Sequence, residues 1–406
     1  MRGKPRIAVV SPFLDKSHGT ERILIEWFSR LGDDFELHIY SQRVDDFDRS
    51  QFIYHRIWEL PGPHILNYVW WFLANHIRRG WDSAFGNLTP DLVFTPGINC
   101  MDADVISIHV VFAQLCRQAR PELRFSANPL RRWPRLLHRR LYYSLVVFLE
   151  RRIYSNPHTQ LVPMAKKTQA DLNRFYARDG GCPILHLGLE HARFNPSRRA
   201  ELRQASRESL GLTGRDFVAL LIGNDLLNKG MLVLFEALSR LPGLPLRLLI
   251  VSRESGNAYR SVLKEKRLAD QVRFLSLRKD VELYFAAADL YTGPSLEDAF
   301  AMPPQEAMAC GLPVIVSRAA GVSEIITDGE NGLILEDARD ANALAAMIRR
   351  IYEDQAFRTA LGQNAAKSVE QFTWERNAQD LRAIFEDVLR RKRDSPSMRK
   401  VLEPDR

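Results

Sequence analysis

Two acids, Asp298 and Glu306, are separated by seven residues in the run LYTGPSLEDAFAMPPQEAMACGLPVIV at 290–316. A short strand is expected to end near Thr292, followed by a turn through Gly293, Pro294 and Ser295. Pro304 is well placed to open a helix, since its missing N–H is one that a first helical turn leaves unpaired anyway. Gly311 should end that helix and Pro313 prevent its continuation. The free amides between the acids would be those of Phe300, Ala301, Met302 and Gln305. A helix start with orphan donors and flanking carboxylates suits an anionic, hydroxyl-rich ligand. The plainer alternative is a carboxylate that only caps its own helix.

Further residues sit where chemistry could use them. Lys229 precedes Gly230 in LLNKGMLVLFEALSRL, a loop running into a helix after a strand that ends at Gly223. An ammonium beside a helix N-terminus is a suitable diphosphate ligand. His109 follows DVISI, and the carboxyl end of a parallel strand faces the ligand crevice of an α/β sheet. As a lone residue it would more often be structural. Gly19 lies where the first strand passes into the first helix.

The elements that must position these residues follow from pattern. Residues 6–12 read as an apolar strand, 15–31 as a loop running into an amphipathic helix and 36–41 as a second strand, a βαβ start that predicts a parallel sheet with helices on both faces. DLVFT (91–95) and DVISI (104–108) are two further strands. The aromatic-rich residues 52–81 predict a strand and then a helix with most rings in the core and a few exposed, where they could stack on sugars or touch lipid. Asp216 opens a second series of alternating strands and helices, and 340–354 predicts an amphipathic helix. Val314, Ile315 and Val316 form a strand apolar enough to be buried on both faces.

The acid-containing stretch resembles the signature of the retaining glycosyltransferases of family 4, E-G-F-G-L-P-P-L-E-A-M-A-x-G-x-P-V, which here reads Asp298-AFAMPPQ-Glu306-AMACGLPVI, followed by GVSEII and NGL. Either Glu297 or Asp298 could fill the first acidic place. HGTER at 18–22 is similar to the family's GG-x-E-R loop, with His18 for the first Gly. DVISIHVVF resembles its strand-terminal T-x-H segment, and ILHLGLEHARFNP its hinge. That hinge keeps Gly188, Phe194 and Pro196, but has Leu187 for Asn and Glu190 for Asp. Asn224 stands where the family often places an Arg, so either Arg253, beside Ser252, supplies the second cation or phosphate is held less tightly. Val272-RFLS, with Phe274, is similar to a segment whose backbone contacts the nucleotide base.

What the resemblance implies is a GT-B fold, two Rossmann-like α/β domains of doubly wound parallel sheet facing a central cleft. The N-terminal, acceptor-side domain would span 1–196 and the donor-binding domain 197–370, with a linker helix at 197–209. A terminal helix (371–390) would return to the first domain, leaving 391–406 as a polar tail. The implied activity is transfer of a hexose from a UDP- or GDP-sugar to a glycan or glycolipid acceptor, as in bacterial cell-surface polysaccharide synthesis. Catalytic roles fall on His109, Asp298 and Lys229. Donor contacts fall on Gly19, Gly223, Asn224, Lys229, Arg253, Phe274, Glu297, Asp298, Phe300, Ala301, Met302 and Glu306. No cofactor and no obligatory metal is expected, since the second domain lacks a D-x-D motif. Alternatives are another GT-B enzyme, a sugar-nucleotide epimerase or phosphorylase, or a non-catalytic nucleotide-sugar-binding scaffold.

At 406 residues two domains are the natural expectation. The apolar content of 46% and charged content of 26% are those of an ordinary globular protein. Cys100, Cys116, Cys182 and Cys310 lack metal-ligand spacing and suggest a reducing compartment. The apolar runs are too short to span a bilayer, and the N-terminus does not read as a signal peptide. The expectation is a cytoplasmic protein, with peripheral attachment at the inner face of the membrane as an option. Between Arg117 and Arg152 lie ten arginines against two glutamates, an excess equal to the net charge of +8. Charge gathered this way implies an anionic partner, either lipid headgroups with Trp133 at the interface or simply solvent on a core-packed helix. No nucleic-acid motif accompanies it.

Overall fold

The computed structural model describes residues 3–15, 19–86, 88–119, 133–178 and 180–394. The chain divides into two compact units, Met1–Leu187 with Trp374–Arg406, and Gly188–Thr373. Strands of the first unit are β1 (Arg6–Val10), β2 (Phe13–Leu14), β3 (Glu36–Ser41), β4 (Arg43–Val44), β5 (Ile53–Arg56), β6 (Leu92–Pro96), β7 (Val105–Ile108) and β8 (Gln160–Pro163). Six of them form one parallel sheet in the order β5-β3-β1-β6-β7-β8, while β2 pairs with β4. Taken by position along the sheet chain, that order is 3-2-1-4-5-6, the doubly wound arrangement. The expectation of a parallel sheet with helices on both faces is met.

On one face of this sheet, helices Gly19–Leu31 and Trp374–Asp394 pack together. Trp27 and Phe28 meet Phe94, and Phe385 joins Phe35 and Phe94 edge-on. Trp27 Nε1 donates to Asn377 Oδ1, and Asn377 Nδ2 donates to the carbonyl of His186. On the other face, helices His64–Phe85 and Trp133–Tyr154 contribute Trp71, Ala74, Val146 and Ile153 to a core shared with Val10, Tyr40, Val93 and Ile106.

Of the rings in 52–81, Tyr68 and Phe72 pack half-buried against that core. Trp71 is buried, but Trp58, Trp70 and Trp81 are exposed. The polar inward side of the helix accounts for Trp70 and Trp81, since its side chains are turned to partners beneath it. Asn75 Nδ2 donates to the carbonyl of Asn99 (2.9 Å), Arg79 forms a fork onto Asp102 (2.6 and 2.7 Å), and Asp82 pairs with His55 Nδ1 (2.8 Å).

The second unit repeats the plan. Its strands β9 (Phe217–Ile222), β10 (Leu246–Val251), β11 (Val272–Leu275), β12 (Leu290–Gly293), β13 (Val314–Ser317) and β14 (Leu333–Leu335) run parallel in the order β11-β10-β9-β12-β13-β14. The sequence FVALLI of β9 is buried throughout, as a strand covered on both faces must be. Helices Met231–Ser239 and Ala341–Glu353 bring Leu234, Phe235, Leu344 and Ile348 into its core. Helix Pro196–Ser209 starts with a proline in its first turn and with Asn195, whose side chain accepts from the Arg198 amide at 2.7 Å.

The exchange between units falls after Leu187 rather than at the expected residue 196. Residues 188–195 are tied to the second unit by the Leu189–Thr373 bridge, by Leu189 N donating to Phe372 O (3.0 Å), and by an Arg193–Glu282 ion pair. The terminal helix, expected to end at 390, continues to Asp394. Arg391 donates to Gln160 Oε1 and Lys392 to Asp104 Oδ2, both at 2.7 Å. The remainder of the expected tail, 395–406, lies outside the described residues. Among the described residues no helix is long and apolar enough to cross a membrane.

Candidate active site

In a doubly wound sheet the crevice for a ligand opens where neighbouring strands send their connections to opposite faces, here at the carboxyl ends of β9 and β12. Lys229 arrives from β9 and Asp298 from β12, and the Lys229 ammonium donates to Asp298 Oδ2. The two side chains retain only 18% and 16% exposure, so the pair is largely withdrawn from water.

Two glycines permit this approach. A Cβ on Gly223 would lie 2.8 Å from Lys229 Cε, so the lysine stem passes directly across the backbone at that point. Gly230 has φ +75°, and a Cβ there would stand 2.0 Å from the carbonyl oxygen of Pro294, a distance no side chain tolerates. The loops are also stitched by Asn228, whose Nδ2 donates to Glu297 O (2.8 Å) while its carbonyl accepts from Leu296 N (2.7 Å). Of the adjacent acids, Asp298 has the carboxylate that meets Lys229, and Glu297 accepts from Asn228 through its backbone carbonyl. Sequence reasoning missed Asn228, although its position next to Lys229 was the available signal.

Ala301 precedes helix Met302–Ala309 with φ +72°, ψ 98°, a conformation rare for a residue with a Cβ and costing on the order of 1–3 kcal/mol. Neighbouring backbone holds it: Val322 N donates to Phe300 O (2.7 Å), and Asp298 bridges Ala320. The helix begins at Met302 rather than at Pro304, with both prolines in its first turn. Gly311 closes it with φ +70° and an amide donated to Met308 O, as expected. Glu306 projects from this helix and is 3% exposed. Asp298 and Glu306 share one neighbourhood, since burial first, and then these two carboxylates, hold the Tyr291 phenol well above its ordinary range.

Asn224 and Arg253 stand side by side at the ends of β9 and β10, with Asn224 Oδ1 accepting from the backbone amide of Arg253 at 3.2 Å. The backbone of the exposed Arg253 is thereby tied to Asn224. Phe274 on β11 stacks on Tyr259, with centroids 5.9 Å apart and planes within 4°, over Gly256, where a Cβ would clash with the ring at 2.4 Å.

Gly19 and His109 belong to the first unit. Gly19 is the first residue of its helix, and His18 lies outside the described residues. His109 follows β7, with Nε2 3.0 Å from Ser107 Oγ and the ring 6.3 Å from that of Trp27. Burial pushes its pKa down to about 4, so the imidazole is neutral at pH 7 and offers one donor and one acceptor. A feature invisible in the sequence supports the segment after it. Glu150 is fully buried and accepts from the amides of Phe112 and Ala113 (2.8 Å each) and from the Tyr176 hydroxyl. Burial pushes Glu150 up to about 7, against those three donors.

Two parallel sheets of 3-2-1-4-5-6 order, each with a ligand crevice at its carboxyl ends, define the class of GT-B glycosyltransferase folds. Solved structures agree. WaaG, a glycosyltransferase involved in lipopolysaccharide biosynthesis, superposes with a TM-score of 0.78 at 20% identity over 93% of this chain and 99% of that one. HepE of Anabaena, in complex with UDP and glucose, gives 0.70 at 18% identity over 95% and 100%. The model of the family Glycosyl transferases group 1 matches residues 203–368, within the second unit. The D-inositol 3-phosphate glycosyltransferase of Corynebacterium kroppenstedtii is 32% identical over 217 residues, 50% of this chain and 48% of that protein. The enzyme of that name from Jonesia denitrificans is 29% identical over 239 residues, 56% of each. The chain thus spans about half the length of the curated relatives it matches.

Proposed function

We propose that this protein is a retaining glycosyltransferase that moves a hexose from a UDP- or GDP-sugar to a glycan or lipid-linked acceptor in cell-surface polysaccharide synthesis. The observation that carries the reading is the meeting of Lys229 and Asp298 at the crevice of the second sheet, with Glu306 buried in the next helix. A departing nucleoside diphosphate is an anion and the sugar it leaves becomes cationic. Lys229 and the amides at the start of helix Met302–Ala309 supply the charge the first needs. Glu306 accepts from the two ribose hydroxyls, and Asp298, with Glu297 beside it, holds hydroxyls of the sugar ring. Lys229 and Asp298 then change partners when donor arrives, the ammonium turning to phosphate and the carboxylate to sugar. The neutral His109 of the first unit is assigned a hydrogen bond to a substrate hydroxyl.

Support comes from the family model matched over 203–368 and from the fold shared with HepE, whose solved structures contain UDP, glucose and UDP-glucose. Calorimetry with UDP and with GDP tests the donor site, and a panel of nucleotide sugars screened for slow acceptor-free hydrolysis identifies the sugar. Lys229→Ala and Glu306→Ala should each remove about 2–4 kcal/mol of transition-state stabilisation, roughly 30- to 1,000-fold in kcat/KM. Activity within twofold of wild type in both variants removes these residues from the mechanism.

A further inference from the structure

Helix His64–Phe85 is amphipathic in the reverse sense. Its inward side carries Asn75, Arg79 and Asp82, all buried, together with Trp71 and Ala74. Its outward side carries Leu66, Trp70, Leu73, Ile77, Trp81 and Phe85, spaced by three or four residues and so aligned on one stripe. Exposure along that stripe reaches 66% at Ile77 and 73% at Phe85, and the helix is about 30 Å long. A contiguous apolar strip of this size on a surface marks an interaction site.

Helix Trp133–Tyr154 covers the same face of the same sheet and touches the first helix through Tyr142, whose ring lies 5.6 Å from Tyr68 and 4.8 Å from His64. It repeats the pattern. Leu136, Val146 and Ile153 point inward, while Trp133, Leu137, Leu141 and Phe148 are exposed. Arg135, Arg139, Arg140, Arg151 and Arg152 are exposed as well, and the helix's one acid, Glu150, is buried. Both helices therefore turn apolar side chains away from the sheet, and the second adds guanidinium groups without a compensating exposed carboxylate of its own.

We propose that this two-helix face docks on an anionic lipid bilayer, lying in the interface with its rings and aliphatic chains among the acyl ends and its arginines at the headgroups. Charge decides among occupants. A second copy of this chain would meet it across a two-fold axis with arginines opposed to arginines, whereas an anionic lipid surface complements them.

Vesicle sedimentation without nucleotide tests the proposal, so a negative result leaves the donor-site reading standing. Wild type should partition at least about tenfold more strongly onto vesicles containing phosphatidylglycerol than onto phosphatidylcholine alone. Leu73→Gln with Ile77→Gln should weaken binding to the anionic vesicles by about tenfold or more. Arg139→Glu with Arg140→Glu should abolish the preference for anionic lipid. The substituted side chains are exposed, so circular-dichroism melts should stay near wild type, and Trp81→Gln alone serves if the apolar double variant melts early. Equal partition onto both vesicle types, or variants that partition like wild type, overturns the proposal. So does a dimer by light scattering that Leu73→Gln with Ile77→Gln converts to monomer, which would assign the face to self-association.

Discussion

Replacing Asp298 with Asn separates two things the carboxylate is proposed to do. It holds Lys229 in the free protein and sugar hydroxyls in the complex. The pair is mostly buried, at 18% and 16% exposure, so its worth lies between an exposed ion pair (up to about 1 kcal/mol) and a fully buried one (about 3–5 kcal/mol when broken). About 1–2 kcal/mol of that competes with the diphosphate for Lys229, corresponding to roughly 5- to 30-fold in affinity. Asp298→Asn should therefore bind UDP, which has no sugar, about 5- to 30-fold more tightly by calorimetry. Turnover of the nucleotide sugar should fall by roughly 10²–10³-fold, because the hydroxyl contact is lost. Glu297→Gln is the control, since it removes one negative charge at the neighbouring position without breaking the pair, and should change UDP affinity by about twofold or less. If UDP binding to Asp298→Asn is unchanged or weaker, or if Glu297→Gln gives the same gain, the partner exchange is refuted.

Gly230→Ala should lower Tm by several degrees and weaken UDP binding, because its Cβ would strike the Pro294 carbonyl at 2.0 Å and push the Lys229 loop off the β12 loop. Differential scanning calorimetry reads the first effect and UDP titration the second. Glu150 predicts a pH dependence of stability. Its folded pKa is raised to about 7 from an ordinary 4.5, so its contribution is fully present below about 4.5 and is lost as pH rises through about 7. Wild type should lose roughly 3 kcal/mol across that window from this group, and Glu150→Gln should flatten that part of the profile in urea melts taken at several pH values.

The sheets were legible because parallel strands buried on both faces read as short apolar runs, as in FVALLI and VISI, and because loops after strands hold the chemistry in such folds. The Lys229–Gly230 step and the Asp298–Glu306 spacing pointed to the candidate site for the same reason. What could not be read depends on which way a helix is rolled. Periodicity shows that helix His64–Phe85 has a polar and an apolar side, but only the partners supplied by Asn99, Asp102 and His55 determine that the polar side faces in. Glu150 was similarly hidden, as an acid between Leu149 and Arg151 reads as solvent-facing until Phe112, Ala113 and Tyr176 close around it. The link between Asn224 and Arg253 crosses 29 positions of sequence, and no local pattern encodes it.

The segments that enter and leave the second unit run together, Leu189 paired with Thr373 and its amide bonded to Phe372. A unit whose two ends already touch is a closed loop of chain in all but covalent terms. New termini could be opened within it and the old ones joined by a short spacer with little added entropy of closure. The same adjacency means that 188–373 could be excised or replaced by rejoining the chain at one place.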